Sequence, residues 1–200
     1  MILPRSFYNQ PTLKAAQELL GCFLVVLPNG KSCITNAVHA NVYQRKNRYK
    51  IVETEAYVGH KDKASHARRG KTKRNQIMFG PPGVIYVYFT YGMHYMFNIV
   101  TERKDYPAAV LIRAVEPIDT TTNLMTNGPA KLTKALKIDK KFNSLPIYKK
   151  DHGLWIENKK QALGPGQIVR TTRVGIDYAE EYREKRWRYY LEDNKFVSKF

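Results

Sequence analysis

Cysteine is scarce: the 200 residues hold two, Cys22 and Cys33. Two thiols build no disulfide framework, and their spacing fits no zinc pattern. Both lie in or beside apolar, strand-like stretches, which assigns them to core packing in a reduced, intracellular setting. Long apolar runs are lacking too. No stretch could span a bilayer, and the start Met1-Ile2-Leu3-Pro4-Arg5 has no apolar core of a secretion signal. Repeats, low-complexity tracts and linkers are missing, so residues 1–200 read as one domain. Gly80-Pro81-Pro82-Gly83 lacks the lysine and spacing of a phosphate-binding loop. His60 and His66 have no neighbouring cysteine, and the His-x-Glu signature of zinc deaminases is absent.

Acidic residues are outnumbered: 17 Asp and Glu stand against 34 Lys and Arg, for a formal net charge of +17. Such a surplus repels itself in the free protein and suits a polyanionic partner. Nucleic acid leads, because phosphates neutralised by Lys and Arg release counterions. An anionic membrane would want a basic amphipathic helix, and none is found. Hydrophobic residues at 43% supply a real core and disfavour disorder.

Residues 9–21 read as a helix capped by Asn9 or Thr12, with Leu13, Ala16 and Leu20 on one face and Gly21 at its end. Cys22 to Leu27 reads as a strand, and Pro28-Asn29-Gly30 as a hairpin turn. Residues 43–50 form a basic strand or loop, and residues 59–75 a polar surface loop. Strands are expected over Ile51 to Val58, Val84 to Phe89, His94 to Thr101 and Ala108 to Val115. Proline in Gly128-Pro129 marks a helix start, and the tail from Val174 carries strand-like, aromatic segments. The fold class is α+β.

Along Glu53-Thr54-Glu55-Ala56-Tyr57, alternation sends Glu53, Glu55 and Tyr57 to one face. Two acids on an apolar strand need water, a partner or a substrate; a salt-bridged edge strand is the plain alternative. Tyr86 and Tyr88 share a face, and Tyr86 and Tyr95 read as core. Tyr91, beside the turn glycine Gly92, is placed to stack on bases or wedge between them. His66 alone in a loop reads as solvated. Arg113, inside an apolar strand, pairs with a buried carboxylate or reaches a polar site, with Glu55 a suitable partner.

Ile51-Val52-Glu53-Thr54-Glu55-Ala56-Tyr57, Asp62-Lys63-Ala64-Ser65-His66 and Arg74-Asn75 with Met78 to Gly83 resemble the alkyladenine (3-methylpurine) DNA glycosylase family. Tyr86 through Tyr91-Gly92-Met93-His94 to Asn98, and Val110 to Pro117, continue the likeness in order. Weaker echoes lie in the first helix, in Gly128 to Leu132 and in Arg173 to Tyr178. The resemblance implies a single domain with a curved, mostly antiparallel sheet, flanking helices and a protruding hairpin. It implies that Glu55 activates a water while Arg113 and the Val174 carbonyl hold it. Tyr57, His66 and Tyr88 would wall a flipped base, and Asn98 would exclude guanine by crowding its amino group. Tyr91 would fill the gap in the duplex. Arg68, Arg69, Lys71, Lys73 and Arg74 become candidate phosphate contacts. The implied partner is double-stranded DNA with alkylated or deaminated purines, bound by a monomer inside the cell, on the nucleoid if bacterial. Neither membrane, metal nor organic cofactor is expected. Departures are the long basic stretch 31–50, Ala130 and Lys137 where glycine is frequent, and Arg186-Trp187-Arg188-Tyr189-Tyr190 where proline is common. The competing readings are a non-catalytic binder of distorted DNA, a metal-dependent nuclease using Glu53, Glu55, Asp62 and His66, and a lyase with a lysine nucleophile.

Overall fold

The described residues form eight strands, and every pairing between them is antiparallel. They are β1 (Phe23–Val26), β2 (Asn47–Val58), β3 (Ile85–Thr90), β4 (His94–Val100), β5 (Ala108–Pro117), β6 (Leu154–Glu157), β7 (Ile168–Thr171) and β8 (Arg188–Leu191). The computed structural model describes residues 1–27, 47–118 and 124–199. The Pro28-Asn29-Gly30 turn, Cys33 and the first part of the 43–50 stretch lie outside the described residues. The strands run β3-β4-β5-β2-β1-β6 across one sheet, with β8 bonded to β2 and β7 to β8. The sheet curls into half a barrel, as expected for the α+β class.

The middle of the sheet explains the site. β2 pairs with β5 on one side; on the other, its first half meets β1 and its second half meets β8. It is an interior strand, so the edge-strand reading fails. Opposite β5 the register skips Val52 on β2 and then Arg113 on β5. Each skip inserts a residue without a partner, which bends a strand and re-aims its side chains. Before the first bulge the odd residues Tyr49 and Ile51 face the main core. After it the even residues Val52 and Ala56 do so, while Thr54 donates its hydroxyl to the Ala16 carbonyl at 2.9 Å. The bulge therefore turns Glu53, Glu55 and Tyr57 to the opposite face.

On the core face, Leu24, Val87, Phe97, Ile112 and Leu132 pack together out of reach of solvent, each contributing about 1.5–3 kcal/mol by burial. Three helices support this face: α1 (Arg5–Tyr8), α2 (Thr12–Glu18) and α3 (Pro129–Ala135). The expected 9–21 helix is shorter than its pattern. Pro11 occupies the N-cap without a side-chain bond, and Glu102, distant in sequence, accepts from both the Thr12 N–H and the Thr12 hydroxyl. Neither Asn9 nor Thr12 caps the helix. Gly21, at φ +81°, then turns the chain into β1. α3 begins with proline in its first turn as read. Among the described residues no helix is long and apolar enough to cross a membrane.

Candidate active site

Sheet register lays out the floor. Tyr86 pairs with Asn98, Asn98 with Leu111, and Leu111 with Glu55, so four adjacent strands contribute one aligned row. At about 4.8 Å per strand step the row spans roughly 14 Å. Above it opens a cavity of about 390 Å³, lined by Tyr57, His66, Tyr88, Asn98, Arg113 and Val174 among others. That size suits one small ligand. The 59–75 segment is a surface loop as read, and it is anchored: Asp62, Ser65 and Asn75 are buried, and Asn75 donates to the His66 and Gly70 carbonyls.

Aromatic rings form one wall. Tyr86 and Tyr88 lie 5.3 Å apart by centroid, and His66 meets Tyr88 at 4.4 Å nearly edge-on. His66 is not a free loop side chain, since its Nδ1 lies 3.1 Å from the Tyr86 hydroxyl. Tyr86, read as core, is buried yet borders the cavity. The residue His66 is exposed at the cavity mouth, but its ring is flanked by Tyr86 and Tyr88. Burial of that ring, then the nearby Arg74 charge, lowers its pKa to about 4. Burial raises the Tyr86 phenol to about 12. A neutral imidazole accepting from a protonated Tyr86 carries its own proton on Nε2, as a donor. An unfolded histidine takes a proton below about 6.5, whereas His66 in the folded chain waits until about 4. Its contribution to stability is thus whole above the upper value and is lost as the pH falls through that window. Two-dimensional NMR of the imidazole nitrogens should show His66 titrating near pH 4; a midpoint near 6.5 would mean an open ring.

The Asn98 side chain donates to the Tyr86 and Met96 carbonyls at 3.2 and 3.3 Å. Its amide is therefore fixed in the cavity floor.

Glu55 has no solvent exposure. Its Oε1 accepts from the Val174 N–H at 2.9 Å and faces Arg113 at 3.3 Å. Its Oε2 accepts from the Tyr57 hydroxyl at 2.9 Å. The carboxylate thus sits one layer behind Tyr57, Arg113 and Val174, which do line the cavity. It is turned towards the cavity wall and not into the apolar core. Burial first, then the Glu55 charge, raises the Tyr57 phenol well above its ordinary value, so the hydroxyl keeps its proton. Arg113 is shared: its Nε bonds Glu53 at 2.9 Å, a closer contact than the expected one with Glu55. Val174 meets Glu55 through its N–H.

Sequence reasoning missed Arg173. Its guanidinium grips buried Asp62 at 2.6 and 2.8 Å and the Ala56 carbonyl at 2.9 Å, and lies 4.7 Å from the centre of the Tyr57 ring. Asp62 in turn accepts from the Val58 and Ala64 N–H groups. This pair ties the His66 loop to the segment that delivers Val174. Its signal was adjacency: Arg173 precedes Val174, and Asp62 stands within a quoted motif.

Arg68, Arg69, Lys71, Lys73 and Arg74 are all exposed beside His66. Arg68 lies 5.8 Å from the Tyr178 ring centre and Arg74 5.3 Å from that of Tyr88. Tyr91 stands 83% exposed at the tip of the β3–β4 hairpin. Tyr91 and Gly92 both have positive φ, 52° and 67°, as a tight hairpin turn requires. Glu53, Glu55, Asp62 and His66 do not converge, since Glu53 is claimed by arginines and Ser198 and Asp62 by Arg173. Among the described residues no lysine lines the cavity. Among the described residues neither the nuclease nor the lyase reading finds its constellation.

The chain matches the methylpurine-DNA glycosylase family over residues 6–195. Similar proteins include one of Carboxydothermus hydrogenoformans, 44% identical with both chains covered completely, and one of Clostridium perfringens, 40% identical with the same cover. A protein of Legionella pneumophila is 40% identical over 98% of each chain. All three are provisionally named 3-methyladenine DNA glycosylases. The match runs through every strand that builds the cavity, and the chain belongs to the methylpurine-DNA glycosylase family.

Proposed function

We propose that this chain is a monofunctional DNA glycosylase of base excision repair that binds duplex DNA as a monomer, through one domain. It takes an alkylated or deaminated purine into the cavity and hydrolyses the bond from base to sugar with water. The observation that carries the reading is the Glu55 carboxylate, held by Val174, Arg113 and Tyr57 directly behind an aromatic chamber.

Tyr57, His66 and Tyr88 receive the extruded base. Their rings draw the positive charge of an alkylated purine, and that charge makes the base a good leaving group. Asn98, fixed by two carbonyls, cannot swing aside for an extra exocyclic amino group. Water reaches Glu55 when it replaces the Tyr57 hydroxyl at Oε2. The carboxylate then takes the water's proton as the oxygen attacks the sugar carbon, and it faces the positive charge developing there. Arg113 and the Val174 N–H keep Oε1 occupied, so Oε2 is the basic atom. Tyr91 enters the duplex where the nucleotide left, and Arg68, Arg69, Lys71, Lys73 and Arg74 hold the phosphates.

Duplexes each carrying one defined lesion, assayed with and without EDTA, test this. The expected result is release of the free purine and an abasic site, unchanged by chelation. Loss of activity with EDTA would favour a nuclease, a borohydride-trapped adduct a lyase, and binding without release a recognition protein.

A further inference from the structure

Glu53 is a carboxylate that solvent does not reach and that the proposed reaction does not touch. Its Oε1 accepts from Arg113 Nε at 2.9 Å, Arg188 Nε at 2.7 Å and the Ser198 hydroxyl at 2.8 Å. Its Oε2 accepts from the Ser198 N–H at 2.8 Å and lies 2.7 Å from the same hydroxyl. Burying one carboxylate with two guanidinia is a poor way to gain stability, because apolar side chains of equal volume do as well or better. A geometric role accounts for it. A guanidinium is a rigid plane, so a bond at Nε fixes its rotation. With Nε on Glu53, the nearest approach of Arg113 to Glu55 is from NH1 to Oε1, at 3.3 Å, while Oε2 takes the Tyr57 hydroxyl. Without the Glu53 bond the guanidinium gains freedom to turn towards Glu55 and compete with the Tyr57 hydroxyl for Oε2 in a bidentate pair.

We propose that Glu53 is a positioning residue: backed by Ser198 and Arg188, it holds Arg113 on the Oε1 side of Glu55, so that at Oε2 water has to replace the Tyr57 hydroxyl and not a guanidinium. Burial raises the Glu53 carboxyl, but Arg113, Ser198 and Arg188 together outweigh it and keep the group ionised below its ordinary value. The inference rests on the glycosylase reading and deepens it.

Single-turnover excision on a lesion duplex, with binding measured separately, tests it. Glu53→Gln should slow base release at least ~10-fold, the penalty of a misaligned group, with lesion-DNA Kd unchanged. In an Arg113→Ala background the same substitution should cost almost nothing further, because its effect passes through Arg113. Ser198→Ala removes no charge and should fold whatever Glu53→Gln does; it should show the same split, more weakly. Additive losses, or a folded Ser198→Ala with wild-type turnover, would overturn the assignment. Should wild-type protein release no base, the glycosylase reading itself fails; wild-type release with an undisturbed Glu53→Gln rate sinks only this inference.

Discussion

Glu55→Gln should slow base release by about 10²–10⁴-fold, the usual loss when a general base is removed, and leave the affinity for lesion-containing duplex intact. Glutamine keeps the volume and can still accept from the Val174 N–H at Oε1. Arg113 keeps its bond to Glu53, so the variant should fold. On the proposed reading, binding depends on the aromatic chamber, the Tyr91 tip and the basic loop, whose rings and charges the substitution leaves in place. Single-turnover kinetics with enzyme in excess isolate the chemical step. Release at the wild-type rate would remove the water-activating role from Glu55.

The second large effect belongs to a residue with no part in the chemistry. Arg173→Ala should lower stability by about 3–5 kcal/mol, because it leaves Asp62 charged and buried without its partner. For a chain of this length that is on the order of 10 °C in Tm. Asp62 would retain only the N–H groups of Val58 and Ala64. Activity should fall beyond the stability loss, since the strap holding Val174 against Glu55 is cut. Thermal scans of Asp62→Ala/Arg173→Ala separate the causes. Removing the orphaned charge should recover part of the loss, and no recovery would show that the ion pair was not the source.

The β3–β4 hairpin was legible because alternation and the Tyr91-Gly92 turn are local signals. α3 was legible because proline starts it. The family likeness named the cavity residues, and alternation put Glu53, Glu55 and Tyr57 on one face. What alternation could not show was the bulge at Val52. Ile51 and Glu53 share a parity, yet one faces the core and the other the site. The partner of Glu53, Ser198, lies 145 positions away, and no spacing rule reaches so far. β6 and β7 are only four residues long, too short for a period to declare itself. The expected helix ran too long for a related reason: it begins only after Pro11, and the N–H of its first residue, Thr12, is met by Glu102, 90 positions on.

Glu55 takes a hydrogen bond from Val174, 119 positions later, and its strand is bordered by β8. On a ribosome adding about 5–20 residues per second, on the order of ten seconds separate the synthesis of the acid from that of the group that steadies it. During that interval the nascent chain displays a tyrosine-lined half-sheet whose β2 still lacks β8 as a neighbour, and on the proposed reading its Glu55 is not yet steadied to act on DNA. On that reading catalytic competence arrives last. The hazard of manufacture is mispairing of the waiting strand edge, not premature damage to the genome.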